Sequence, residues 1–224
     1  MSSKRKFILS NGQIYHVFNR GVEKRSVFKS SKDYQRAITT IDFYRFQKTS
    51  LKLSEFLNLS LEERSNVYSK MITDSSKLVE IFCFCLMPNH FHLLIRQEQV
   101  GGISSFISNF TNSYTKYFNT KHNRVGHLFQ GTFKAVLVES NEQLLYLSKY
   151  IHLNPARAFL VSQSLIETYP WSSLLEYINT SNRNVCKSTK ILDNFPTRES
   201  YLKYLKDDTS NLNECKKVEE LTFD

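Results

Sequence analysis

Cysteine, long apolar runs and repeats are all scarce in this chain, and each absence excludes something. Four cysteines among 224 residues (Cys83, Cys85, Cys186 and Cys215) are too few and too scattered for a disulfide framework, so reduced thiols in a cytoplasmic protein are expected. No 18-residue apolar run occurs, which leaves nothing to span a membrane. The opening residues Met1 to Phe7 lead into no apolar stretch of the kind a signal peptide needs. There is no internal repeat and no low-complexity linker. At 41% hydrophobic and 23% charged, the composition is that of a globular protein, neither disordered nor fibrous.

What the chain does have is positive charge and rings. Its formal net charge is +9, and because residues 205–224 carry three Lys against six Asp or Glu, the remaining body carries +12. A basic body with an acidic tail suits a polyanionic partner, nucleic acid first. From Tyr114 to Lys134 aromatic and basic residues interleave (Tyr117, Lys121, His122, Arg124, Phe129, Phe133). That mixture suits single-stranded nucleic acid, where bases stack on rings and phosphates meet cations.

Patterning gives the order of elements. Gln13 to Phe18 alternates as a strand and breaks at Asn19-Arg20-Gly21. Ser31 to Phe46 reads as a helix, and residues 48–77 as an insertion with short helices. Val79 to Leu86 is a buried strand, Pro88-Asn89 a turn, and Phe91 to Arg96 a second strand. Ile103, Phe106, Ile107, Phe110, Tyr114, Tyr117 and Phe118 form one helical stripe between Gly102 and Lys121. A strand over Thr132–Glu139 follows. Ser140 and Gln143 then cap a helix that Pro155 is expected to stop or kink. Trp171–Tyr177 and Glu199–Leu205 read as further helical pieces. The order implies an α+β fold with an antiparallel sheet and helices on one face.

Two spots carry candidate chemistry. His90 and His92 are two apart on a strand, so both imidazoles share one face, as half a metal site would. They are expected to face away from the packed helices or toward a groove. Tyr150 and Asn154 are four apart on a helix and share a face. A phenol can be a nucleophile and an amide oxygen can ligate a hard cation. Lys149 points about 100° away from Tyr150 on that helix, and His152, roughly opposite, reads as structural. A zinc site of Cys83, Cys85, His90 and His92 is the alternative use of the histidines, with two buried thiols the simpler account.

Taken together, Tyr15-His16-Val17-Phe18-Asn19-Arg20-Gly21, Leu86-Met87-Pro88-Asn89-His90-Phe91-His92-Leu93-Leu94, Leu128-Phe129-Gln130-Gly131 with Phe133-Lys134, Tyr150-Ile151-His152-Leu153-Asn154-Pro155 and Trp171-Ser172-Ser173 resemble the REP-associated tyrosine transposases, a branch of the single-tyrosine HUH transposases. The resemblance covers residues 12–178. It implies a ferredoxin-like antiparallel sheet with helices packed on it in a transposase-like domain over 1–178, and a C-terminal helical extension over 179–224 with a mobile acidic tail. It further implies metal-dependent cleavage and rejoining of single-stranded or hairpin DNA through a 5′-phosphotyrosine intermediate. Tyr150 would then be the nucleophile, His90, His92 and Asn154 the ligands of Mg²⁺ or Mn²⁺, and His16, Arg20, Lys121, Arg124 and Lys134 DNA contacts. A cytoplasmic, nucleoid-associated protein is expected, with monomer and homodimer both open. Two positions depart from the family pattern. Thr132 stands where Arg is frequent, putting a phosphate contact in doubt, and Phe159 stands where Gly is frequent, a change expected to touch local packing. The competing reading is a non-catalytic nucleic-acid binder on the same scaffold.

Overall fold

The computed structural model describes residues 8–47, 51–74, 76–181 and 183–207; Cys215 and most of the acidic tail lie outside them. Four strands form one sheet in the order β2-β3-β1-β4: β1 (Ile14–Arg20), β2 (Val79–Met87), β3 (His90–Gln97) and β4 (Lys134–Leu137). Every pairing is antiparallel. The helices are α1 (Ser31–Tyr44), α2 (Leu53–Asn58), α3 (Leu61–Asp74), α4 (Gly102–Lys121), α5 (Asn141–Arg157), α6 (Leu174–Tyr177), α7 (Thr189–Leu192) and α8 (Arg198–Lys206). None is long and apolar enough to cross a membrane. The order of the main elements and the span of the striped helix are those the pattern implies.

Helices cover both faces of the sheet, not one. Alternation on the strands sends Tyr15, Val17, Phe91, Leu93 and Ile95 to one side, where they meet Ala37, Ile38 and Ile41 of α1 and Phe106, Phe110 and Tyr114 of α4. The other side carries Cys85, Met87 and Leu94, which pack with Leu147, Tyr150 and Ile151 of α5 and with Ile191, Tyr201 and Leu205 of α7 and α8. A bulge between Ile81 and Cys83 shifts the register of β2, so adjacent Phe82 and Cys83 both fall on the α5 side. The one-face expectation failed because β2 is apolar at all but one position and buried along its whole length, which is the signature of a sheet buried on two sides. The segment after α1 builds a small core of its own, where Leu53, Phe56 and Met71 close over Phe43 and Phe46.

The turn between β2 and β3 is held from outside. Pro88 carbonyl accepts the backbone N–H groups of Val27 and Phe28 at 2.7 and 3.0 Å, and Asn89 carbonyl accepts that of Gly21 at 2.7 Å. Gly21 has no room for a side chain: a Cβ there would lie 2.3 Å from the Arg25 carbonyl oxygen. Directly beyond it, Glu23 and Lys24 both take positive φ, 57° each, a conformation that costs an L-residue roughly 1 kcal/mol or more.

Candidate active site

β3 and α5 bring the candidate residues together. In β3, His90 and His92 share a face, their ring centroids 4.9 Å apart and nearly perpendicular. That face looks at α5 rather than away from packed helices. Tyr150 crosses above, its ring 5.6 Å from that of His92. One turn on, Asn154 Nδ2 lies 3.5 Å from His92 Nε2. Tyr150 is 2% exposed, and the Arg157 guanidinium lies over its ring at 5.2 Å.

His16 also belongs here, and not on a DNA-facing surface as the sequence suggested. It is 1% exposed, pairs with Leu94 across β1–β3, and sets its Nε2 2.9 Å from His92 Nδ1. Burial holds His16 well below the ordinary imidazole value, at about 3. Burial lowers His92 further, with His90 and His16 adding to the effect. His92 is therefore a neutral ring, the form that ligates metal.

The other expected DNA contacts scatter. Arg20 ends β1 opposite His90 in the register and donates to Gln130 Oε1 at 2.8 Å. Lys134 is exposed at the start of β4, with its ammonium over the Phe18 ring. Lys121 and Arg124 sit at the end of α4, beneath the opposite sheet face. Lys121 is engaged by the buried Asp33 carboxylate at 2.6 Å, and Arg124 by Asn119 Oδ1 at 2.6 Å. A cleft of about 620 Å³ runs between α1, α2 and α4 past Arg36, Lys116 and Tyr117, away from the histidines. A smaller one of about 280 Å³ is lined by Asn19, Ser108, His127 and Phe133, and Thr132 is at its edge.

Helix α5 is shaped at both ends. Ser140 Oγ caps its start by accepting the Gln143 N–H at 3.1 Å. Pro155 does not end it, and the helix runs on to Arg157. The closure comes later: Phe159 N–H bonds Ala156 carbonyl at 3.0 Å and Leu160 N–H bonds Pro155 carbonyl at 2.9 Å, the pattern of a Schellman end. Such an end places its closing residue at positive φ, and Phe159 has φ 55°. Glycine is frequent at such ends for this reason. Phe159 is 95% exposed, so the departure touches backbone strain and not packing, contrary to expectation.

His152 is structural, as read: it is buried between Tyr201 Oη and Ser173 Oγ, each at 2.7 Å. Lys149 turns to the Asp207 carbonyl and the Tyr204 ring. Cys83 and Cys85 are buried, and burial raises both thiols. Among the described residues no three His, Cys, Asp or Glu side chains converge as a metal cage requires, so the four-ligand zinc alternative has no site. Two imidazoles and one amide form a different donor set. It suits a cation that keeps positions open for other ligands. Sequence reasoning missed Asn89 and the true place of His16. The signal available for His16 was a histidine at a buried parity in an otherwise apolar strand.

The site therefore sets a histidine pair on a central strand of a four-stranded antiparallel sheet, with a tyrosine-bearing helix across it. The family model for IS200-like transposases matches residues 54–154, a span that holds His90, His92, Tyr150 and Asn154. A solved structure described as a REP-associated tyrosine transposase bound to a REP hairpin is similar to this chain with a TM-score of 0.51 and 14% identity, covering 83% of this chain and 90% of that one. No curated protein matches the sequence. The chain thus matches the IS200-like transposase model over residues 54–154 and shares the fold of that solved structure.

Proposed function

We propose that this protein cleaves and rejoins single-stranded or hairpin DNA through a transient 5′-phosphotyrosine link. The observation that carries this reading is the convergence of Tyr150 and Asn154 from α5 on the His92 ring. His90, His92 and Asn154 would hold Mg²⁺ or Mn²⁺, which when bound polarises a scissile phosphate and offsets its developing charge. The Tyr150 oxygen attacks phosphorus in line; the new O–P bond forms as the bond to the 3′ oxygen breaks, and that oxygen leaves as a 3′-hydroxyl. Because the phosphodiester energy is kept in the tyrosyl ester, the same hydroxyl can reverse the step without a nucleotide cofactor. A free phenol has a pKa of ~10, and Lys149 is turned elsewhere, so the phenolic proton passes to water admitted with the DNA. Arg20 and Lys134 flank the site and meet the phosphates.

The burial of Tyr150 is what favours the alternative, a non-catalytic binder on the same fold. One substitution separates the two. Tyr150→Phe keeps the ring and its packing and removes only the hydroxyl. With Mn²⁺ or Mg²⁺ and a 3′-labelled hairpin oligonucleotide, the wild-type protein is expected to form a denaturant-resistant adduct and Tyr150→Phe none, with hairpin binding near wild type. An adduct in the variant would assign the nucleophile elsewhere. No adduct with either protein, despite tight binding, would favour the binder.

A further inference from the structure

Each histidine of the pair has its second ring nitrogen occupied. His90 Nδ1 lies 2.6 Å from Asn89 Oδ1, and His92 Nδ1 lies 2.9 Å from His16 Nε2. The orientation of the Asn89 amide is set independently. Its Nδ2 donates to the Lys24 carbonyl at 3.3 Å, so oxygen must face His90. An amide oxygen only accepts, which puts the His90 proton on Nδ1 and leaves Nε2 as a lone pair. For His92, a cation held beside Asn154 would take the Nε2 lone pair, which places the proton on Nδ1 and makes His16 Nε2, at 2.9 Å, its acceptor.

We infer that Asn89 and His16 are positioning residues that fix both histidines in the Nδ1–H tautomer, so that two Nε2 lone pairs face the same space. This rests on the metal reading above and deepens it. It also gives the strained turn a task. The positive φ of Lys24 belongs to the turn whose carbonyl orients Asn89, and Gly21 N–H anchors the Asn89 backbone. Backbone strain of this kind persists where the surrounding structure enforces it. His16 therefore serves His92 through its outer nitrogen and does not meet the DNA directly. Partners of this type commonly change metal affinity 10- to 100-fold when removed.

The test uses Mn²⁺ alone, without DNA, on the full chain. Titration calorimetry should show affinity falling about 10-fold or more in His16→Leu and Asn89→Ala. His16→Gln, which keeps an accepting oxygen, should remain within about 3-fold of wild type, as a packing role alone would not require. Independently, long-range ¹H–¹⁵N spectra of histidine-labelled wild-type protein at neutral pH should show His90 and His92 as Nδ1–H tautomers; this holds whether or not a variant folds. An Nε2–H tautomer at either ring overturns the proposal. Mn²⁺ affinity lost in His92→Ala but kept in folded His16→Leu and Asn89→Ala overturns the proposal alone. Affinity kept in all of them, His92→Ala included, overturns the metal reading with it.

Discussion

Phe91 and His92 are neighbours on β3, yet they look into different interiors. Phe91 meets the rings of Phe110 and Phe129, edge to face, at 5.1 and 5.6 Å. His92 meets a second imidazole, a phenol ring and an amide. The α1/α4 side is mainly apolar, and the polar groups it buries, such as Asp33 and Gln97, are committed to holding Lys121 and the Leu9 carbonyl. The α5 side is buried equally well, but it retains His16, His92, His152, Asn154 and Ser173 among its apolar residues. Polar groups survive there because each is bonded, and a buried polar group that is bonded costs little. One strand thus serves packing and chemistry on alternate residues, because β-geometry separates them with a period of two.

The sharpest way to break this contrast is to truncate both sides. Phe106→Ala, in the closed core, is expected to cost about 3–5 kcal/mol, read by urea unfolding, with DNA cleavage per folded molecule unchanged in the cold. Asn154→Ala should do the reverse, shifting stability by about 1 kcal/mol and reducing cleavage at least about 10-fold. Equal effects of the two on both readouts would erase the distinction.

Acid should weaken the α5 side selectively. Burial holds folded His16 and His152 at about 3, whereas an unfolded imidazole titrates near ~6.5. Below that value the unfolded chain binds protons that the folded one refuses. The stability they allow is therefore complete above about pH 6.5 and falls as pH drops toward 3, by up to about 1.4 kcal/mol per pH unit for each ring. Urea unfolding at pH 7.5, 6 and 5 measures the slope. His152→Gln should reduce it by about one proton, and an unchanged slope would mean that His152 charges freely in the fold.

The smallest effect belongs to the surface. Lys134→Ala should weaken hairpin binding by about 1 kcal/mol and lower the salt dependence by about one ion. Lys121→Ala should leave that slope alone, because its ammonium is committed to Asp33.

Much of this was legible in the sequence. Period-two alternation placed β1, spacings of three and four placed α4, and the same two rules put His90 with His92 and Tyr150 with Asn154. What stayed hidden was whatever depends on which face a second layer covers. β2 is apolar at almost every position, so its pattern carries no facing information, and the two-sided sheet was read as one-sided. His16 was read as a DNA contact from the resemblance of its segment, because strand parity counts only once the neighbouring strand and its register are known. Asn89 sat inside a quoted motif but read as a turn residue, which by its backbone it is; its second role needs the Lys24 carbonyl, 65 residues away in the chain.

The end of α5 has a consequence for the timing of any reaction. The last turn of a helix is ordinarily where it frays, since its carbonyls lack partners within the helix. Asn154 stands in that last stretch. The paired bonds from Phe159 and Leu160 close it, and burial of Leu153, Asn154 and Pro155 seals it, although Phe159 pays roughly 1 kcal/mol that glycine would not. The amide therefore waits already ordered beside His92. Its share of conformational entropy is surrendered when the chain folds, and none of it remains to be lost at each turnover.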